Sequence, residues 1–597
     1  MNGNATPAAA SQGGLWRYDP PLEAQRFVIE EVLQAPRAWA RLPPYAGLDA
    51  EVASQVLAEA GRFASEVLAP LNAVGDAAGC RYDAGRVGTP PGFREAYRAY
   101  VEGGWPALAC DPAHGGQGLP QLLYIAMYEM LHAANHAWAM YPALAHGAYE
   151  CLRHHGSADL QQRYLDRIAS GEWLTTMCLT EAHAGSDLGL LRARAVPGPD
   201  GSVRVSGQKI FASGGEHDLT DNIIHLVLCR LPDAPSGSRG LSLALVPKRL
   251  PDGTDNSVHC DGIEHKMGIH GSATCTMRFE QATGWLVGQP HRGLAAMFVM
   301  MNAARLQVGM QGLGHLEMAR QNAVRYARQR EQMRAPVRPQ GVETPADPIV
   351  HHPAVRRTLW TLEALAEGQR VLAYRTAHWL DESEHHPDAA RRQVLRERVA
   401  LLTPVVKAML TEHGFTGASA ALQVWGGHGY VRESRIEQVL RDSRIAMIYE
   451  GTNEIQAIDL LQRKVLDDGG ARLEELLGHI ESAADAWGAD GVCAGLAQAL
   501  RPLLDEARQA TGALARADDR EAAYRVAGDY LRAFGLVLLG WCWGDLAQAA
   551  ARRPDDPASR RRLAAACFAR DWLLPEATAA WQQVQRHARA VPPWPQD

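Results

Sequence analysis

Met177-Cys-Leu-Thr-Glu-Ala-His-Ala-Gly-Ser-Asp187 is the stretch on which the fold turns. It opens as an apolar run that, extended back to Trp173, has the length of a strand, and it closes in a turn of small and polar residues. Upstream the spacing is helical: Phe27, Ile29, Val32 and Leu33 begin one helix, and Val52, Val56, Leu57, Ala60 and Phe63 follow i, i+4 spacing. The glycine-dense piece 111–118 reads as a loop. From Glu172 to about Gly288 the period shortens, and strands are expected at 173–180, 203–211, 223–231, 241–246 and 275–280. Turn signals mark this zone at Pro199-Asp200-Gly201, at Ser206-Gly207 and across 235–240. Strands without long intervening helices imply an antiparallel β domain.

Helical periodicity returns at 294–330, 352–380, 390–423 and 455–465, lengths that pack as a bundle. Beyond Gly469-Gly470 the chain stays helical, rich in Ala and Leu. The expected architecture is mainly α with a central antiparallel β domain, an α–β–α core, plus a C-terminal helical extension. The implied partition is an arm at 1–34, a helical domain at 35–171, a β domain at 172–290, a bundle at 291–468 and the extension at 469–597.

Composition bounds the chemistry. A chain of 597 residues, 47% hydrophobic and 21% charged, has the balance of a globular protein of several domains and excludes wholesale disorder. The net charge of −7 gives no basic footprint for nucleic acid. Ten cysteines without a C-x-x-C pair point to reduced thiols rather than a zinc site or a disulfide framework. Residues 1–14 lack the charged and apolar regions of a secretory signal, and the apolar run between Arg532 and Asp545 falls short of the ~20 residues that span a bilayer. A cytoplasmic protein with no transmembrane segment is expected. No P-loop, Rossmann glycine motif, G-x-S-x-G or H-E-x-x-H occurs. The adjacent pairs His154-His155, His351-His352 and His385-His386 diverge by about 100° on a helix, so none is a chelate by itself and no metal is expected.

Two further constellations join the opening stretch. Gly207-Gln-Lys-Ile-Phe-Ala-Ser-Gly-Gly215 is a strand ending in a hydroxyl and two glycines, where Phe211 can lie on a planar ring and Ser213 bond its edge. Ile445-Ala-Met-Ile-Tyr-Glu-Gly-Thr-Asn-Glu-Ile-Gln456 delivers Glu450 into a turn before a helix, with Gly451 allowing tight geometry and Thr452 or Asn453 as N-cap. The free N–H groups of that helix start suit a phosphate, and the apolar flanks Ile448 and Tyr449 favour a desolvated Glu450 with a raised pKa.

In order and spacing, these pieces resemble the acyl-CoA dehydrogenase family over about residues 40–465. Ser213-Gly-Gly-Glu-His-Asp-Leu-Thr220 and Glu264-His-Lys-Met-Gly-Ile-His-Gly271 resemble its long bacterial branch with an extra C-terminal helical domain, which includes the 3-methylmercaptopropionyl-CoA dehydrogenases. The resemblance implies FAD as cofactor. It places Met177, Leu179 and Thr180 at the pyrimidine side of the flavin. Phe211 stands where most members have tryptophan and Ser213 where most have threonine, beside N5. Arg330 matches the arginine that reaches a neighbouring subunit's FAD, although Met333 replaces the usual aromatic and Arg334 the glycine after it. Gln423, Gly426 and Gly427 match the turn that receives the pyrophosphate. Thr452 and Glu454 follow on the cofactor side, Glu454 where a neutral glutamine is common, and His270 replaces a frequent arginine. Ser186, Arg305, Tyr449 and Gly451 fall to the acyl-CoA substrate.

The implied reaction is α,β-desaturation of an acyl-CoA thioester. Glu450 removes the α-proton, and its N–H with a ribityl hydroxyl holds the thioester carbonyl where enolate charge develops. The β-hydride passes to the flavin, and electrons leave to an electron-transfer flavoprotein. A homodimer is expected, as is a short or modified acyl group such as 3-methylthiopropanoyl. Two other readings stand beside this one: an oxidase that reoxidises FAD with oxygen, and a flavin-free scaffold of the same fold.

Overall fold

The computed structural model describes residues 15–338, 340–341, 343–488 and 491–595. They fall into two compact units, one spanning Glu59–Gln307, the other joining the segment up to Ala58 with Val308 onward.

Within the Glu59–Gln307 unit, a short hairpin, β1 (Arg81–Asp83) and β2 (Arg86–Gly88), precedes the long helix α1 (Gln121–His155), which is buried along almost its whole length. Its axis breaks at Asn135, whose backbone is non-helical and whose Oδ1 accepts from Trp138 N at 3.1 Å, so an amide side chain caps the second half from inside. A seven-stranded sheet follows: β3 (Leu174–Cys178), β4 (Arg194–Pro197), β5 (Val203–Ser213), β6 (Ile223–Arg230), β7 (Leu241–Pro247), β8 (Val258–Ile263) and β9 (Thr274–Val287). Its path β3-β6-β4-β5-β9-β7 is closed by pairing of β7 with β6, so five strands form a ring without free edges. The sheet is largely antiparallel, as expected, while β3 joins β6 in parallel and is buried throughout. Strands β4 and β8 were not anticipated, and the Ser206-Gly207 signal lies inside β5, where the register shifts against β9, rather than between strands.

Helix α2 (Gly293–Gln329) carries the chain into the second unit. There α3 (Pro353–His385) and α4 (Ala389–Trp425) pack on each other and on the later part of α2, where Arg320 pairs with Glu363 and Arg370 with Glu317. Gly312 and Gly414 let α2 and α4 approach: a Cβ on Gly312 would meet Leu410 O at 2.2 Å, and one on Gly414 would meet Gly312 O at 2.6 Å. A short helix, α5 (Asn453–Ile458), precedes a π-helical stretch, Asp459–Leu466. In the C-terminal extension, α6 (Ala522–Ala551) is long and apolar enough to cross a membrane, but 89% of its most apolar window is buried within the protein. It docks on α3 through Trp543 Nε1 to Ala364 O (2.8 Å), and through Arg375, which pairs with Asp545 (2.6 Å) and lies over the Trp541 ring at 3.8 Å. Arg562 ties the extension to the chain's beginning, bonding Glu23 at 2.6 and 2.9 Å and stacking over Phe27. These fully or partly desolvated ion pairs and arginine–aromatic contacts fix where the extension sits on the bundle.

Candidate active site

In the Glu59–Gln307 unit the side chain of Met177 is buried within β3, so this residue offers main chain only. Leu179 and Thr180, just past the strand end, are half-buried. Glu181 and Ala184 exchange backbone hydrogen bonds of 3.0 and 2.9 Å, closing a tight turn after which Ser186 is exposed. Thr180 O accepts from Ile210 N at 2.9 Å, which brings Leu179 and Thr180 beside the end of β5. That end leaves regular strand geometry. Phe211 has φ of +59° and is 58% exposed, and Ala212 and Ser213 resume pairing with Cys275 and Thr274. Gly215 permits close passage there, because a Cβ on it would stand 2.7 Å from Met277 Sδ. Leu179, Thr180, Phe211 and Ser213 therefore share one edge. Arg305 lies buried on α2, with Nη1 3.4 Å from Asn302 Oδ1.

In the other unit the chain leaves a turn of 3-10 helix (Arg444–Met447) and runs through Ile448 and Tyr449 to Glu450, whose φ is +55°, and Gly451, whose φ is +85°. Buried Gln456, Gln311 and Lys407 fix this turn, the last two through the half-buried Tyr449 and Asn453. Gln456 Nε2 donates to Glu450 O at 3.3 Å. Tyr449 Oη donates to Gln311 Oε1 at 2.5 Å, and burial, followed by the neighbouring Glu450 carboxylate, pushes its hydroxyl pKa well above the usual range. Asn453 Oδ1 accepts from the fully buried Lys407 ammonium at 3.0 Å, while its Nδ2 donates to Ala408 O at 3.0 Å. Of the two candidates for N-cap, Thr452 takes the role, its Oγ1 accepting from Ile455 N, and Asn453 is the brace. The main chain at Glu450 is pinned, and its side chain is half-buried rather than enclosed. Glu454 is exposed at the start of α5.

The same unit brings Arg330 near the glycine turn. Tyr326, one helical turn before Arg330, stacks on Trp425 (4.3 Å between centroids) and meets His428 Nδ1 through its hydroxyl at 2.8 Å. Gln423, Gly426 and Gly427 are exposed beside this brace, and no atom stands within 4 Å of a Cβ built on either glycine.

The residues present fit FAD. An exposed aromatic face beside a hydroxyl suits the isoalloxazine, and open glycine main chain with an amide and a guanidinium suits a pyrophosphate. The braces Lys209, Glu181, Lys407, Gln456, Gln311 and Tyr326 were not read from sequence. One signal was there: Lys209 is in phase with the buried Val203 and Val205 of β5.

Family models match nearly the whole chain. They are "Acyl-CoA dehydrogenase, N-terminal domain" over residues 50–172, "Acyl-CoA dehydrogenase, middle domain" over 176–282, "Acyl-CoA dehydrogenase, C-terminal domain" over 291–465 and "Acetyl-CoA dehydrogenase C-terminal like" over 470–592. A 3-methylmercaptopropionyl-CoA dehydrogenase from Ruegeria pomeroyi is 42% identical, covering 89% of this chain and 91% of its own. The broad-specificity linear acyl-CoA dehydrogenase FadE5 of Mycobacterium tuberculosis is 36% identical, covering 88% of this chain and 89% of its own. Among solved structures, Caenorhabditis elegans ACDH-11 in complex with C11-CoA superposes with a TM-score of 0.72 at 20% identity, covering 92% of this chain and 94% of its own.

Proposed function

The chain belongs to the acyl-CoA dehydrogenase family of FAD-dependent oxidoreductases, and on that premise we propose that it desaturates an acyl-CoA thioester between the α and β carbons, with Glu450 as general base. The observation that carries this is the Glu450 turn, where buried Gln456, Gln311 and Lys407, with half-buried Asn453, hold the main chain while the carboxyl stays half-buried. A base for a weakly acidic α C–H gains from a fixed position more than from added basicity. In this reading the Glu450 N–H donates to the thioester carbonyl as negative charge develops on its oxygen. Bound FAD supplies the acceptor for the β-hydride. Leu179, Thr180, Phe211 and Ser213 hold the flavin, and Met177 contributes main chain. Thr452 and Glu454 lie on the cofactor side, and Ser186, Arg305, Tyr449 and Gly451 serve the acyl-CoA.

Arg330 is assigned to the FAD of a partner subunit, which requires at least a homodimer, and Gln423, Gly426 and Gly427 to the FAD pyrophosphate. Electrons leave to an electron-transfer flavoprotein in a cytoplasmic setting, and the five-part division at 34/35, 171/172, 290/291 and 468/469 belongs to the same reading. Similarity to the Ruegeria pomeroyi enzyme over nearly the full chain supports 3-methylthiopropanoyl-CoA as first substrate, within a range of short linear acyl groups. Glu450→Gln is expected to retain FAD and to lose several orders of magnitude in turnover, against the ~10²–10⁴-fold typical of a positioned general base alone. An acyl-CoA panel with an artificial electron acceptor checks this, and near-normal rates in the variant defeat the assignment.

A further inference from the structure

Along β5, side chains alternate between the interior and the outside, with Val203, Val205 and Lys209 facing in. Two residues beyond Lys209, the same phase would bury Phe211. Instead the register against β9 slips between Lys209 and Ala212, Phe211 takes a left-handed backbone, and its ring turns outward. This is a bulge, and a bulge re-aims a side chain.

The bulge is held from beneath by charge. The Lys209 ammonium is fully buried and donates to Glu181 Oε1 at 2.8 Å and to Leu179 O at 2.9 Å. Glu181 accepts in turn from Ala193 N (2.9 Å) and Arg192 N (2.8 Å). Burial alone would raise the Glu181 pKa, but the ammonium and these amides hold it below the ordinary value. Ile210 N reaches across to Thr180 O. One ion pair thus joins the strand beneath Phe211, the Leu179–Thr180 segment and the chain at Arg192–Ala193.

An apolar pair of similar volume would hold the interior as well or better. It could not link three chain segments through four directed bonds, one within the pair and three to main-chain groups. We infer that the Lys209–Glu181 pair is a positioning device for the cofactor. It sets the separation of Leu179–Thr180 from Phe211–Ser213, the two segments that, resting on the function proposed above, contact FAD.

The test compares wild-type protein with Lys209→Met/Glu181→Leu, which repacks the pair with apolar groups, and with the conservative Lys209→Arg. Three quantities are read: FAD dissociation constant by fluorescence titration of the apoprotein, the visible spectrum of bound flavin, and the thermal midpoint of the apoprotein. In the double variant the midpoint stays close to wild type while FAD affinity falls about 10–100-fold, the scale for supporting partners of a bound group, and the flavin bands shift. Lys209→Arg recovers part of the affinity. A double variant with both wild-type midpoint and wild-type FAD affinity overturns the inference. If the double variant fails to fold, Glu181→Gln, which removes the charge and keeps one acceptor oxygen for Lys209 and the Ala193 amide, is read by its FAD affinity and flavin spectrum. FAD uptake by wild type and variants alike defeats this inference alone, whereas no uptake by wild type defeats the proposed function and the inference together.

Discussion

Phe211 and Glu450 are both held at positive φ, 59° and 55°, but what holds them differs. Beneath Phe211 lies a charged pair in the interior of a β ring. Around Glu450 the turn is held by an amide on its carbonyl and by the Tyr449 phenol bonded to Gln311, with the buried cation Lys407 bonding three residues past Glu450 at Asn453. Ten non-glycine residues among those described have positive φ, so the conformation alone does not mark a site. Each of these two has a fully buried polar side chain in its support, Lys209 two residues before Phe211 and Gln456 on the Glu450 carbonyl. Left-handed non-glycine residues persist where the surroundings over-determine them. The comparison shows two ways of doing that, one fragile to the loss of a charge and one distributed over several weaker bonds.

The largest expected difference follows from that contrast. Lys209→Met alone leaves Glu181 charged and uncompensated in the interior, which costs about 3–5 kcal/mol. Gln456→Leu removes one neutral donor from the Glu450 turn and costs about 1–3 kcal/mol, the scale of a buried group left unpaired. Urea titrations of the two apoproteins, followed by tryptophan fluorescence, rank them. Equal losses would show that the two supports are equivalent and dissolve the contrast.

The sequence shows both sites and conceals both supports, for a physical reason. Helices α2, α3 and α4 are legible because long apolar periodicity survives any local polar residue, and β5, β6 and β7 because short apolar runs are bounded by turns. Arg194-Ala-Val-Pro197 is too short, and Val258–Ile263 interrupts its apolar residues with His259, Asp261 and Gly262, so neither shows a strand pattern until β9 and β5 supply the partners. Phe211, Ser213 and Glu450 stand out through adjacent glycines and hydroxyls, which are local signals. Lys209, Lys407 and Gln456 are isolated polar residues, which ordinarily lie outside, and their burial is created by tertiary pairing with Glu181, Asn453 and the Glu450 carbonyl.

Acid sharpens the comparison at an intermediate scale. His225, fully buried with Nδ1 2.8 Å from Thr176 Oγ1, is held down to about 3, by burial first and then by the charge of Lys248. Its folded pKa lies below the unfolded value near 6.5, so the unfolded chain takes up the proton first as pH falls. The stability it contributes is complete above about pH 6.5 and declines as pH drops toward the folded value. Glu181, also depressed, begins to lose its contribution only as pH falls through the ordinary carboxylate value near 4.5, so near pH 5 the ion pair is not what fails. His225→Gln should remove about 2 kcal/mol of the stability difference between pH 7 and pH 5. Thermal melts at the two pH values measure it. An unchanged difference would mean that His225 titrates alike in both states.

The smallest expected effect isolates the strain at Phe211 itself. A left-handed backbone costs a side chain with Cβ roughly 1–2 kcal/mol, and asparagine tolerates it better than phenylalanine. Because the ring is 58% exposed, Phe211→Asn forfeits little burial in the apoprotein. The variant is therefore expected to melt at or slightly above the wild-type temperature without FAD, and to bind FAD more weakly because the aromatic face is gone. A drop in the apoprotein midpoint would show that the ring supports the fold, and the bulge would then be an element of the β ring's own packing rather than a feature kept for what binds against it.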